Sequence, residues 1–265
     1  VYVAGRTPGR IPEAVLRRQP RFSNTYQQSK YEAEQVVTRF ASRVPAAIAR
    51  ISSIIGDSRD GRVHQLNHVH QLMRLFPQCA LPVAPCEPDA LIDVVSIDWV
   101  AGALAWLFEN RSEAGAVYQL CAGPRSGFTV EMMLAEMHRL FAVHPAAQKW
   151  LPVRMPRMVG LSEWDRFADS VMSDGSPLLR ELVRATGYYL PHLAIRQEFE
   201  NEATVKILAP SGMEAPPIRE TFARVVAWCL ETNWGKEKLL DGRAVTDGRF
   251  ARRTGSLPNT SSSVG

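Results

Sequence analysis

The chain of 265 residues is 46% hydrophobic with a formal charge of +4, which excludes a disordered or fibrous protein and allows one sizeable core or two small ones. The charge comes from 26 Arg against five Lys with no long basic block, so a nucleic-acid partner is not expected, and an anionic cofactor or substrate accounts for the balance. No apolar run approaches the ~18 residues of a membrane span. Cys79, Cys86, Cys121 and Cys229 show no Cys-x-x-Cys spacing and follow no secretory signal, a pattern of reduced thiols in a cytoplasmic protein.

Residues 1–5, Val-Tyr-Val-Ala-Gly, read as the end of a buried strand that runs into a Gly/Pro/Arg loop. Residues 22–34 follow, and they carry the strongest chemical signal in the chain. Ser23 or Asn24 can cap a helix in which Tyr26 and Lys30 lie one turn apart on a shared face, while Ala33, Val36, Val37 and Phe40 supply an apolar stripe to bury. An ammonium held near a phenol favours the phenolate, so the pair can give or take a proton. Without its flanks, Tyr-x-x-x-Lys could also be two residues on a solvated helix face.

Residues 46–55 form a β-rich run stopped by Gly56-Asp57-Ser58-Arg59-Asp60-Gly61, which predicts a buried parallel strand and a loop. Ligands of open α/β sheets sit beyond the carboxyl ends of strands, making residues 52–56, with Ser52, Ser53 and Ile54 first, candidate pocket lining. His64 and His68 fall at i, i+4 on a probable helix, but a zinc site needs further ligands at motif spacing, so His64, His68 and His70 are expected to line or cover the pocket. Residues 76–88 read as a loop. A second strand is expected over 90–97, then a helix capped by Asp98 with Val100, Ala103, Leu104, Leu107 and Phe108 on its apolar face, then a third strand over 116–121. This β-α-β order argues a mostly parallel sheet. Thr129 caps a further helix through Met133, Leu134, Met137, Leu140 and Phe141, and the segments up to Trp234 read mostly helical. Met132, Met133, Met137, Met155, Met158 and Met172 suit either a core or an acyl pocket.

Phe22-x-Asn24-x-Tyr26-x-x-Ser29-Lys30-x-x-Ala33-Glu34 resembles the active-site helix of the extended short-chain dehydrogenase/reductases, and above all their thioester-reductase or "male sterility" branch. Arg50, Ser52, Gly56, Asp57 and Ser58 match the family segment that contacts the nicotinamide end of the cofactor, with Ile51 where Pro is usual. Residues 92–101 look like the family's structural return segment, with Ser96 in place of Pro. Tyr188 to Pro191, Glu198 to Asn201 and Trp234-Gly235 resemble the far end of the same reductases, so the resemblance runs to about residue 235.

The resemblance implies an α/β fold: a Rossmann-like, mostly parallel sheet lacking its amino-terminal strands, with a smaller helical substrate-side region. The expected division is 1–125 for the cofactor-binding part with the catalytic helix, 126–235 for the helical region, and 236–265 for a disordered tail. It further implies an NAD(P)H-dependent reductase, with NADP the expected cofactor and NAD possible, acting on a small-molecule or carrier-bound acyl thioester or a related carbonyl. Tyr26 and Lys30 would be catalytic, and both, with Ser52, Ser53 and Ile54, would bind the cofactor. A nucleotide-sugar epimerase or dehydratase shares Tyr-x-x-x-Lys and is the alternative, disfavoured because Gly56-Asp57-Ser58 stands where those enzymes usually carry Tyr-Gly-Pro. A binding protein that has kept the fold and lost the chemistry is a second alternative. The family's glycine-rich phosphate loop and a catalytic Ser-Thr pair would lie before Val1, so this stretch is expected to be a fragment, inactive by itself. The oligomeric state is not legible.

Overall fold

The computed structural model describes residues 2–78, 81–111, 113–150, 154–187 and 193–237. Tyr188 to Pro191, Cys79 and most of the expected tail lie outside the described residues.

Residues 2–4 form a 3-10 turn, Tyr2–Ala4, where a strand end was expected. Gly5 accounts for the difference. Its φ is +54°, and a Cβ at this position would stand 2.4 Å from the Arg21 carbonyl, so the chain reverses against the loop ahead of the first helix. Strand β1 (Gly9–Ile11) then leads to helix α1 (Thr25–Phe40). The run at 46–55 is two strands, β2 (Ile48–Ile51) and β3 (Ser53–Gly56), followed by α2 (His68–Leu75). Next come β4 (Val83–Pro85), inside a stretch that reads as loop, and β5 (Val94–Ser96), shorter than the strand expected over 90–97. Leu91 makes only an isolated antiparallel bridge to Thr129. Helix α3 (Ile97–Asn110), β6 (Val117–Leu120) and α4 (Val130–Val143) continue the chain. Beyond them lie β7 (Arg157–Val159), α5 (Leu161–Asp174), α6 (Pro177–Gly187), β8 (Gln197–Phe199), α7 (Glu202–Leu208) and α8 (Ile218–Glu231).

Every strand pair among the described residues is parallel: β1 with β8, β2 with β6, β3 with β5, and β4 with β7. The Rossmann-like α/β class expected from the sequence is therefore the class observed. The position that matters for function is Ser52. Up to Ile51 the run is hydrogen-bonded to β6, and from Ser53 it pairs with β5, so the chain changes neighbour at Ser52 and opens a crevice of the kind in which α/β sheets hold ligands.

Helix α8 fills one face of this sheet. Phe222, Val225, Val226 and Cys229 are fully buried, and α8 packs on β3, β5 and α4. The approach is close. A Cβ on Gly61, whose φ is +73°, would lie 2.2 Å from the Arg224 carbonyl, and one on Gly56 would lie 2.9 Å from the Val225 side chain. These two glycines serve helix packing, not phosphate binding.

Helix α3 has Ser96 as its N-cap, and Asp98 sits in the first turn. The Asp98 carboxylate is engaged elsewhere, accepting from the Ser58 amide at 2.9 Å and the Ser58 hydroxyl at 2.6 Å. Phe108, expected on the buried face, is 83% exposed.

Candidate active site

Helix α1 forms where the sequence places it. Asn24 is the N-cap, accepting from the Gln27 amide at 2.9 Å, and the Gln27 side chain accepts in return from the Ser23 amide at 2.7 Å. Tyr26 and Lys30 share a face as expected, with the Lys30 ammonium 5.3 Å from the centroid of the Tyr26 ring. Both are exposed. The expected apolar stripe is not buried: Val36 and Phe40 are about half exposed, and the residues that α1 buries are Gln27 and Glu34.

Glu34 explains how such a helix is held. Its carboxylate receives two parallel 2.8 Å hydrogen bonds from the Arg50 guanidinium on β2, with both side chains buried. This fork-to-fork geometry fixes distance and angle together. Arg50 also donates to the carbonyls of Pro12 at 3.0 Å and Ala14 at 2.9 Å. The contact with the nicotinamide end implied for Arg50 is therefore corrected, since its guanidinium joins the Tyr26 helix to the strand that ends at Ser52. Asp57, matched to the same family segment, pairs with Arg59, and this contact holds its carboxyl below the ordinary value despite the opposing cost of burial. Ser58 is committed to Asp98, whose carboxyl also lies below the ordinary value because these hydrogen bonds outweigh burial.

A cavity of about 240 Å³ opens at the crevice. Ser52 and Ser53 line it, with Gln27 from α1, Asp93 from the approach to β5 and His68 from α2. The rest of the wall is mostly apolar, including Leu72, Met73 and Phe76 of the α2 region, Val94, and Met133, Leu134 and Met137 of α4. Met133 and Met137 pack with the core and also line this cavity, whereas Met132, Met155 and Met172 are exposed. Ile54, Tyr26 and Lys30 are not on this wall, and Gln27 is the α1 residue that reaches it.

The Ser52 hydroxyl is buried at the crevice beside the Asp93 carboxyl. Asp93 is the functional candidate that sequence reasoning missed. Burial pushes its carboxyl above the ordinary value, opposed by the neighbouring Ser52 hydroxyl and by the amides of Ala122 at 2.8 Å and Gly123 at 3.3 Å. An acidic residue just ahead of a strand, at 93, was the signal available.

The histidines split three ways. His64 lies in a bend before α2 and shares no helix with His68. His68 reaches the cavity. His70 is buried and accepts from the Asn67 amide at 3.0 Å in a capping box, while its other ring nitrogen lies 2.8 Å from the Ile55 carbonyl. Among the described residues no group of His, Cys, Asp and Glu is arranged to hold a metal. Cys86, Cys121 and Cys229 are free and buried, and burial pushes all three thiols up, Cys86 to about 11 and Cys229 to about 12. Among the described residues no helix is long and apolar enough to cross a membrane.

Residues 1–104 match the NAD-binding family described as male sterility protein. Of the solved structures, the terminal R domain of the myxalamid PKS-NRPS biosynthetic pathway superposes with a TM-score of 0.65 at 20% identity, over 89% of this chain and 57% of that one. MoeE5 in complex with UDP-glucuronic acid and NAD (TM-score 0.48, 17% identity, 86% and 61% covered) and RMD from Pseudomonas aeruginosa complexed with NADPH (0.43, 18%, 87% and 64%) are weaker likenesses that add nothing to the assignment. No curated protein matches the sequence. The superposition shows a fold of the same α/β kind, and the likeness to the NAD-binding family covers residues 1–104. Over those residues the chain is similar to the male sterility family. The chain spans just over half the length of the myxalamid domain.

Proposed function

We propose that this chain carries the catalytic helix and the substrate-side pocket of an NADPH-dependent reductase that acts on an acyl thioester. The observation that carries the reading is the cavity wall. It is mostly apolar, and among the described residues neither Lys nor Arg lines it. An acyl chain suits such a wall, whereas the pyrophosphate of a nucleotide sugar calls for cationic or amide donors. The alternative of an epimerase or dehydratase is the less favoured reading for that reason.

The residues present fit the nicotinamide end of a cofactor, because the Ser52 hydroxyl and the Asp93 carboxyl line the crevice, where a carboxamide could meet them. Ser52 and Ser53 would border that ring, whereas Ile54 packs against the α3 side, and Lys30 would hold the ribose beside Tyr26. When bound, the reduced cofactor supplies a hydride to the thioester carbonyl carbon and leaves oxidised. Tyr26 would give its phenolic proton to the oxygen that becomes negative, with the Lys30 cation stabilising the phenolate left behind, and the hemithioacetal so formed would break its C–S bond to release the thiol and an aldehyde. The apolar wall keeps water from the acyl carbon. A carrier-bound thioester is the partner this chemistry implies.

Thermal unfolding of the product of the complete reading frame separates the two enzyme readings. An octanoyl-pantetheine thioester in the presence of NADPH should raise the melting temperature, since a ligand at 100 times its dissociation constant adds about 2.7 kcal/mol to stability. Protection by UDP- or GDP-sugars with none by the thioester would overturn the proposal.

A further inference from the structure

We infer that helix α2 measures the acyl chain of the substrate, which lies along it from His68 to Phe76 and is stopped there at about eight to ten carbons. The inference rests on the thioester reading above and narrows its substrate to medium-chain acyl groups. His68, Val69, Leu72, Met73 and Phe76 line the cavity, whereas His70, Gln71 and Arg74 do not. That is the spacing of a single helix face, and past His68 the face is apolar. The near end of this face adjoins the crevice: His68 Nε2 stands 3.4 Å from Ser53 Oγ, and Ser53 follows Ser52 in the chain.

The far end is walled by buried rings. Phe76, the C-cap of α2, keeps helical backbone angles and is 7% exposed, and its ring lies 6.0 Å from that of the fully buried Phe141. Leu81 and Val83 also line the cavity, and they are buried in one cluster with Leu72 and Leu75. At 1.5 Å of rise per residue, Phe76 stands about 12 Å along the axis from His68. An extended chain gains about 1.2 Å per bond and covers that length with about ten carbons. The volume gives a similar figure, because a cavity of about 240 Å³ holds about eight groups the size of a water molecule, each with a share of about 30 Å³, and a methylene is of that size.

The test uses the product of the complete reading frame and compares kcat/KM for butanoyl-, octanoyl- and dodecanoyl-pantetheine at saturating NADPH. Octanoyl should exceed butanoyl by about tenfold or more, as each added methylene buries apolar area, and should exceed dodecanoyl by about tenfold, as the longer chain meets the Phe76 ring. Phe76→Ala should raise the dodecanoyl-to-octanoyl ratio by about tenfold, and Phe76→Leu, which keeps more of the burial, should raise it by less. Leu72→Phe, which narrows the cavity midway along α2, should act in the opposite sense and lower octanoyl relative to butanoyl by about tenfold. Dodecanoyl turned over as well as octanoyl by the unaltered protein, or ratios that neither the Phe76 variants nor Leu72→Phe change, would overturn the inference while leaving the reductase reading intact. Turnover of none of the three thioesters would overturn both.

Discussion

Helices α1 and α8 have similar lengths, 16 and 14 residues, and bury opposite chemistry. Helix α8 hides Phe222, Val225, Val226, Trp228, Cys229 and Leu230, whereas α1 hides Gln27 and Glu34 and leaves Val36 and Phe40 about half exposed. Packing positions α8 without directional demands. Helix α1 is positioned by directional contacts, the Asn24 cap, the Gln27 return bond and the Glu34–Arg50 fork. A helix tied down through polar groups on one face can present a phenol and an ammonium on another face at a set orientation. That requirement accounts for the buried charge pair better than stability does, because a buried ion pair is seldom more stabilising than an apolar replacement.

The comparison can be broken from either side. The largest effects are expected from single truncations: Phe222→Ala should lower the unfolding free energy by ~3–5 kcal/mol through loss of burial and the cavity left behind. Arg50→Met should cost ~3–5 kcal/mol by leaving the Glu34 carboxylate buried without its partner. Both are read from urea unfolding. The two sites should then part company. Glu34→Leu combined with Arg50→Met should regain most of the lost stability, since the apolar pair removes the stranded charge. A double variant no more stable than Arg50→Met would show that the Pro12 and Ala14 contacts of Arg50, and not its pairing with Glu34, hold the helix.

A smaller effect is expected at α2, where burial lowers the His70 pKa below its ordinary value and the hydrogen bond to Ile55 opposes that shift. The native state therefore favours neutral His70, while the unfolded chain takes up a proton near pH ~6.5. Stability should be level above that pH and fall below it, by at most ~1.4 kcal/mol per pH unit until the native His70 itself titrates. Urea midpoints at pH 7.5 and 5.5 measure the fall, and His70→Gln should flatten it. An unchanged slope in that variant would assign the pH dependence to other groups.

Local signals in the sequence were enough for α1, α4, β6 and a strand within 46–55 to be anticipated, because each carries its own cap or a short β-rich composition, but not for the division of that run into β2 and β3. Asn24 and Thr129 cap as expected. What could not be read was set by distant partners. Strand β4 pairs with β7 across more than seventy residues, and its Pro-rich sequence gives no alternation to detect. Helix α1 looked apolar on one side because Ala33, Val36, Val37 and Phe40 keep the helical period, yet the face it buries is decided by Arg50 on another strand. The site was legible in the same uneven way. Tyr26, Lys30, Ser52 and Ser53 stand in recognisable patterns, and they remain proposals for chemistry. Asp93 and the commitment of Arg50 to Glu34 emerge only once β2, β5 and the loop after β6 are brought together.

Steady-state kinetics of Tyr26→Phe, in the product of the complete reading frame with NADPH and an acyl-pantetheine thioester, test the central claim most directly. Loss of the proton donor should lower kcat by roughly 10²-fold or more while NADPH affinity stays nearly constant. Lys30→Ala should weaken both, because its cation is assigned to the ribose and to the phenolate. Turnover by Tyr26→Phe at the rate of the unaltered protein would contradict the account.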